Sequence, residues 1–372
     1  MLTLSDFDRW YVEGRKARSW MCEYGGLENL LAETETVKVW GASNGGRLVR
    51  DRLMGYGVTV EAFVDSDYAK VGLSVEETPI LAPSDVSDLD TVVVGTMYQK
   101  SVFDTYLSKS DSTIIPYDDF QNHISRWNID FVKDNFTRLQ GFYRLLEDEA
   151  SRSVLKSAIR FAITRDLTKI AYSDFAQYAH PKVKARRDSV ILDGGAYNGD
   201  SVSRFMSDAP DLKSIFCFEP MRKNIIALYD YVSSEGLESK VFVEEGALGD
   251  SDVDVFLSED AYSPQNNQVS KIGDMDKGKV RCWTIDQFCS SHNVAPTLIK
   301  LDLEGFEINA LLGARDTLKR LQPDLQIGIY HNPEEFLEIP MLLKELDPEY
   351  RFYLGHHGEG AFWDTVLYCS KG

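Results

Sequence analysis

Apolar positions along this chain fall into two alternating patterns. Short, almost unbroken runs read as buried strands: Val37 to Trp40, Val58 to Val64, Thr91 to Val94, Ser112 to Tyr117, Val190 to Leu192, Ser214 to Phe218, Lys240 to Val243 and Thr297 to Leu301. Between them, apolar residues recur at helical intervals. Strands that alternate with helices predict parallel sheets, hence an α/β chain with two Rossmann-like domains. Trp10, Trp20 and Leu30 predict helical packing ahead of the first strand. Phe131, Phe136, Leu139 and Phe142, followed by Leu155, Ile159 and Ile163, predict a helical segment in the middle. The expected boundaries are 1–117 for an N-terminal Rossmann-like domain, 118–185 for a helical connector and 186–372 for the second α/β domain. After a fifth strand, Asp324 to Tyr330, the pattern gives a helix and two further strands, near Tyr350–Leu354 and Thr365–Cys369. Their hairpin-like return predicts a mixed sheet with one reversed strand.

Glycines punctuate both domains at the strand ends. The first carries Gly41-Ala42-Ser43-Asn44-Gly45-Gly46, with Asp65 closing the next strand. An acid there is placed to hold a ribose, but the spacing misses the dinucleotide fingerprint, so the glycines are expected simply to make the turn. The second domain carries Asp193-Gly194-Gly195-Ala196-Tyr197-Asn198-Gly199-Asp200. An acid at the start of such a loop repels a diphosphate and attracts an ammonium group. The expected ligand is therefore a cationic amino-acid nucleoside, as S-adenosylmethionine (SAM) is. Glu219-Pro220 ends the following strand, where a carboxylate can accept two ribose hydroxyls. Ala247 and Leu248, after the third strand, leave room for an adenine face.

The stretch Lys300-Leu301-Asp302-Leu303-Glu304-Gly305 alternates polar and apolar positions at a strand end, so its polar side chains are expected to share one face. With His331, at the end of the fifth strand, they predict a cleft in which isolated charges must find partners or do chemistry. Asp302, His331 and Glu304 are the candidate catalytic residues, with His331 or Asp302 as base. His331 could instead ligate a divalent ion together with Asp302 and Glu304, but one histidine and two acids commonly cluster without an ion, so the leading expectation is no metal. Tyr172, Tyr178 and His180 precede the loop and can face substrate, although a lone histidine beside Pro181 more often serves structure. The polar loop Ser258 to Lys279, with Tyr262, Pro264 and Asn266 to Gln268, has the length of a lid.

Composition narrows the partners. A hydrophobic content of 43% can fill real cores, and a formal net charge of -19 argues against binding nucleic acid or anionic membranes. The five cysteines are scattered without a C-x-x-C pair, which predicts reduced thiols. Neither a signal peptide nor a membrane span is legible, so a cytoplasmic location is the expectation. The number of subunits is left open, a homo-oligomer included.

From Ile191 to Ser201 the chain resembles the first motif of the FkbM family of SAM-dependent methyltransferases. Phe218-Glu219-Pro220, Ala247-Leu248-Gly249 and Thr284-Ile285-Asp286 are similar to its later stations. Ile299 to Glu307, followed by Leu312-Gly313-Ala314, is the most specific match. The resemblance covers about residues 170 to 370 and implies a class I methyltransferase sheet. It also implies SAM as cofactor and an O-methylated sugar, glycan or natural product. Where the family commonly has an acid at the end of strand five, this chain has Gly328-Ile329-Tyr330 before His331. The cofactor residues so assigned are Asp193, Gly194, Gly195, Ala196, Asn198, Gly199, Asp200, Glu219, Pro220, Ala247 and Leu248. Two other classes stay open: a nucleotide-sugar oxidoreductase using the Gly41 loop, and a non-catalytic sugar-nucleotide binder.

Overall fold

A computed structural model describes residues 1–16, 19–120, 126–256, 279–360 and 363–371. The chain divides into two compact units. One holds residues 1–140, 153–171 and 358–363; the other holds 141–152, 172–357 and 364–372. Among the described residues no helix is long and apolar enough to cross a membrane, and all five cysteines are free and buried.

In the first unit the strands are β1 (Thr36–Trp40), β2 (Thr59–Val64), β3 (Ser74–Val75), β4 (Thr78–Leu81), β5 (Thr91–Val94) and β6 (Thr113–Ile115). They form a sheet in the order β3-β4-β2-β1-β5-β6, parallel except for the edge pair β3–β4. Val39, Phe63, Val92 and Val93 are fully buried, as short apolar runs covered on both faces require.

The second unit is built on β7 (Val190–Gly194), β8 (Ser214–Phe218), β9 (Val241–Glu244), β13 (Leu298–Leu301), β14 (Asp324–Gly328), β15 (Tyr350–His356) and β16 (Thr365–Lys371). Three short strands, β10 (Gly246–Leu248), β11 (Asp254–Phe256) and β12 (Lys279–Trp283), make a separate small sheet. The main sheet runs β15-β16-β14-β13-β7-β8-β9 and is parallel except for β16, which lies antiparallel to both its neighbours. The reversed strand is therefore β16, as the hairpin-like return predicts. The helix Arg222–Ser234 buries Ile225, Leu228 and Val232, spaced as one helical stripe. Leu228 and Val232 join Val202, Phe205, Ile215 and Tyr368 in one core cluster.

Strand order fixes where a ligand can enter. From β7 the chain moves outward through β8 and β9, then returns to lay β13 on the other side of β7. The crevice at such a reversal, outside the carboxyl ends of the strands, is where open α/β sheets bind ligands. Here it falls between the loop after β7 and the loop after β13.

Candidate active site

The loop after β7 is tied down by its own backbone. Gly195 and Ala196 donate their N–H groups to the Phe218 carbonyl at 2.9 and 3.1 Å, and Gly199 donates to Ala196 at 2.9 Å. Tyr197 donates to Glu219 Oε2 at 2.9 Å. A phosphate cradle needs such N–H groups free. These are spent, so the loop is not built for a diphosphate.

Asp193 does not play the part its position suggests. Its carboxylate is fully buried, accepts from Ser201 Oγ at 2.6 Å and lies 3.2 Å from Lys300 Nζ. Its charge is met inside the protein and cannot face a ligand ammonium directly. The cause is register: β13 pairs with β7 so that Lys300 stands beside Asp193. Lys300 Nζ also donates to the Gly194 and Gly195 carbonyls, at 3.0 and 2.6 Å. Burial opposes its charge, but Asp193, Asp302 and Asp200 together raise its pKa above the ordinary lysine value. This ammonium clamps the glycine loop.

Glu219 is buried and already engaged. Besides Tyr197 it accepts from Met221 N–H at 2.9 Å and Asn224 Nδ2 at 3.2 Å, both through Oε1. Oε2 accepts a single bond and keeps a lone pair for a further donor. Asn198 and Asp200 are exposed beside it, and Pro220 and Ala247 are half-buried. Leu248 packs on Gly194, where an added Cβ would stand 2.8 Å from Leu248 Cδ1.

The loop after β13 departs from the expected alternation. The strand ends at Leu301, and Asp302 to Gly305 turn away from it, with Glu304 at φ 56° and Gly305 at φ 98°. Asp302 and Glu304 therefore do not share a strand face with Lys300. The turn brings them to His331 all the same. His331 Nε2 lies 3.3 Å from Asp302 Oδ1 and 3.6 Å from Glu304 Oε2, and Nδ1 lies 3.1 Å from Glu307 Oε1. Asp302 also accepts from Tyr178 Oη at 2.7 Å and Tyr330 Oη at 2.9 Å. The two loops meet at Gly195, whose lack of a side chain leaves room that a Cβ, 1.9 Å from the Asp302 carbonyl oxygen, would not.

Charge crowding sets the protonation of this cluster. Burial works against the charged imidazole of His331, yet Glu307, Asp302 and Glu304 outweigh it and hold the pKa well above the ordinary value. For Asp302, burial alone would raise the pKa. His331, Lys300 and Tyr178 prevail and hold it well below the usual carboxylate range. The Glu304 carboxyl is pushed up instead, by desolvation from the surrounding loops and by the Asp302 and Glu307 carboxylates, although its side chain keeps 61% of its surface exposed.

Sequence reasoning finds Asp302, Glu304 and His331, and it names Tyr178. It assigns no role to Glu307 or Tyr330 and misses the clamp made by Lys300. Tyr172 and His180 each pack against other rings: His180 stacks on Tyr368 at 5.0 Å and Tyr172 lies 5.3 Å from His356. In the first unit, Asp65 is occupied by Ala42 N–H at 3.0 Å and Lys70 Nζ at 2.9 Å. A Cβ on Gly46 would stand 1.8 Å from the Gly41 carbonyl, so close packing explains that glycine. The lid expected at residues 258–279 lies outside the described residues but for Lys279, where β12 begins.

The strand order, the reversed β16 and the loop at the reversal point define a methyltransferase-type α/β sheet in the second unit. Residues 193–352 match the family model of the methyltransferase FkbM domain. A crystal structure of methyltransferase FkbM from Methylobacillus flagellatus KT shares the fold with a TM-score of 0.73 at 20% identity, covering 98% of this chain and 99% of that one. An rRNA methylase from Streptococcus thermophilus gives 14% identity and a TM-score of 0.31 over 50% of this chain and 89% of that one. SMU.1697c from Streptococcus mutans, solved in complex with SAH, gives 14% and 0.32 over 50% and 90%. No curated protein matches the chain.

Proposed function

We propose that the second unit transfers the methyl group of SAM to a hydroxyl of a sugar, glycan or natural product. The observation that carries this reading is the meeting of two loops at the sheet's reversal point. One is a glycine loop whose Gly195, Ala196, Tyr197 and Gly199 N–H groups are already spent inside the protein; the other brings His331 Nε2 within 3.3 Å of Asp302 and 3.6 Å of Glu304. The residues present suit SAM. Glu219 Oε2 keeps a lone pair for a ribose hydroxyl, Asn198 and Asp200 are open beside the loop, and Ala247 and Leu248 offer a small apolar face to adenine. Bound there, SAM supplies an electrophilic methyl group: the C–O bond forms as the C–S bond breaks, leaving a neutral thioether.

The chain's own part is to hold the acceptor oxygen in line and take its proton. Asp302, held below the usual range, is a weak base, and His331 already carries a proton. Glu304 is 61% exposed and has the raised carboxyl, so we assign the proton to Glu304. Asp302 and its two tyrosines orient the acceptor.

Calorimetric titration with SAM, SAH, NAD and a nucleotide sugar tests the reading. SAM and SAH are expected to bind and NAD is not; NAD binding with silent SAM would overturn it in favour of an oxidoreductase. Glu304→Gln is expected to lower kcat about 10²- to 10³-fold while SAM affinity stays within about twofold.

A further inference from the structure

Three buried atoms in the cleft lack a well-aligned hydrogen bond: both ring nitrogens of His331 and Glu307 Oε2. His331 is 4% exposed and Glu307 is fully buried. Three carboxylates, those of Asp302, Glu304 and Glu307, surround this one imidazole, and Glu335 Oε2 holds the residue from behind by accepting its backbone N–H at 3.0 Å. Even with a protonated ring, carboxyl groups outnumber the one imidazole around it. Ligand atoms of Asp302, Glu307 and His331 all lie within 4.8 Å of one another.

The spacing suits a cation. Two donors about 2.1 Å from one ion and at right angles to each other stand about 3 Å apart. His331 Nε2 and Asp302 Oδ1 are separated by 3.3 Å. Behind them the outer shell has the form that ligating residues require. Nδ1 of the ring faces the buried Glu307 carboxylate at 3.1 Å, and Asp302 is oriented by the hydroxyls of Tyr178 and Tyr330. A metal-bound histidine commonly donates its other ring N–H to a carboxylate, and a ligating carboxylate is commonly hydrogen-bonded in turn.

We propose that His331 Nε2, releasing its proton to solvent, and Asp302 Oδ1 ligate one divalent cation of the Mn²⁺ class, with Glu307 accepting the remaining N–H of the histidine at Nδ1. This reverses the expectation that the cluster works without an ion. A mixed imidazole and carboxylate set with few protein ligands leaves positions for water and for the acceptor hydroxyl. Glu304 Oε2, 3.6 Å from the same nitrogen, stays on the rim, within reach of an ion-bound hydroxyl. The geometry stands by itself; only the chemistry given to the ion rests on methyl transfer.

The full chain, washed with chelator, is titrated with Mn²⁺ and free Mn²⁺ is read by electron paramagnetic resonance, while SAM binding is measured separately by calorimetry. One Mn²⁺ per chain is expected, weakened at least tenfold in Asp302→Asn and in His331→Gln, with circular dichroism checking that each variant is folded. Should either variant fail to fold, Glu307→Gln serves in its place and is expected to weaken Mn²⁺ about tenfold. Absence of a stoichiometric site in the wild type, or Mn²⁺ affinity unchanged in the folded variants, overturns the proposal. SAM binding without Mn²⁺ removes the ion and leaves methyl transfer standing; Mn²⁺ binding without SAM does the reverse.

Discussion

At the scale of single residues, Lys300 carries more of the second unit than its charge alone suggests. An ammonium with 2% exposure is tolerable only because the Asp193 carboxylate and two loop carbonyls surround it. Lys300→Met removes the cation and leaves Asp193 buried beside a thioether. The expected cost is about 3–5 kcal/mol, the range for stranding one member of a buried pair. Adding Asp193→Asn, which removes the stranded charge, is expected to recover part of that loss. Urea unfolding of the two variants checks both numbers, and equal stability of wild type and Lys300→Met would refute the clamp. The same residue marks how far the sequence can be read. Lys300 is visible in the chain as one polar position in an apolar strand, but its partner lies more than a hundred residues upstream. Only strand register brings the two together, and no local pattern encodes register between β7 and β13. The pairing of Asp193 with Lys300 and Ser201 inside the protein is not legible in the sequence for that reason. Asp302, Glu304 and His331 are legible because each closes or follows a strand whose apolar run is itself legible.

At the scale of elements, the cleft is two strand-to-loop transitions that must fit each other. Apolar runs predict β7, β8, β13 and β14 to within a residue or so at their starts, because fully buried strands advertise themselves by composition. The end of β13 is less legible. Alternation continues through Leu303 and Glu304, while the backbone has already left the sheet and Glu304 adopts a left-handed conformation. Periodicity reports side-chain polarity, and a turn that keeps polar groups near a cleft preserves polarity while abandoning the strand. Gly195 shows what the fit between the two loops demands. It has φ 74°, and an added Cβ would stand 1.9 Å from the Asp302 carbonyl oxygen. Gly236, at φ 65°, meets nothing within 4 Å. Both positions disfavour a side chain by about 1–2 kcal/mol on conformation alone. Gly236→Ala is therefore expected to cost only that and to leave SAM affinity unchanged. Gly195→Ala must also push the two loops apart, and is expected to weaken SAM binding at least about tenfold. Calorimetry on the pair separates the effects; equal SAM affinity in both variants would mean that the loops do not meet as described.

At the scale of the molecule, acidity is concentrated where a cation is expected to bind. The chain has 59 acidic and 40 basic residues, and the cleft of the second unit follows that excess. Asp200 and Glu304 are exposed there, and Asp364, whose carboxyl burial and the neighbouring Asp302 push up to about 6, is close enough to feel the same cluster. Uncompensated negative charge at a crevice attracts cations over distances comparable to the Debye length, about 10 Å at 0.1 M salt. SAM, with its sulfonium, carries one more positive charge than SAH, while the two share every other group. Salt should therefore weaken SAM more than SAH. In chelator-containing buffer, raising salt from 50 to 500 mM is expected to cost SAM roughly two- to fivefold more affinity than SAH, since the Debye length shrinks about threefold over that range. Asp364→Asn, which removes one nearby carboxylate without touching the glycine loop, is expected to narrow that gap. Parallel salt dependences for the two ligands would mean that the field of the cleft does not reach the sulfonium, and that its acids serve the acceptor side alone.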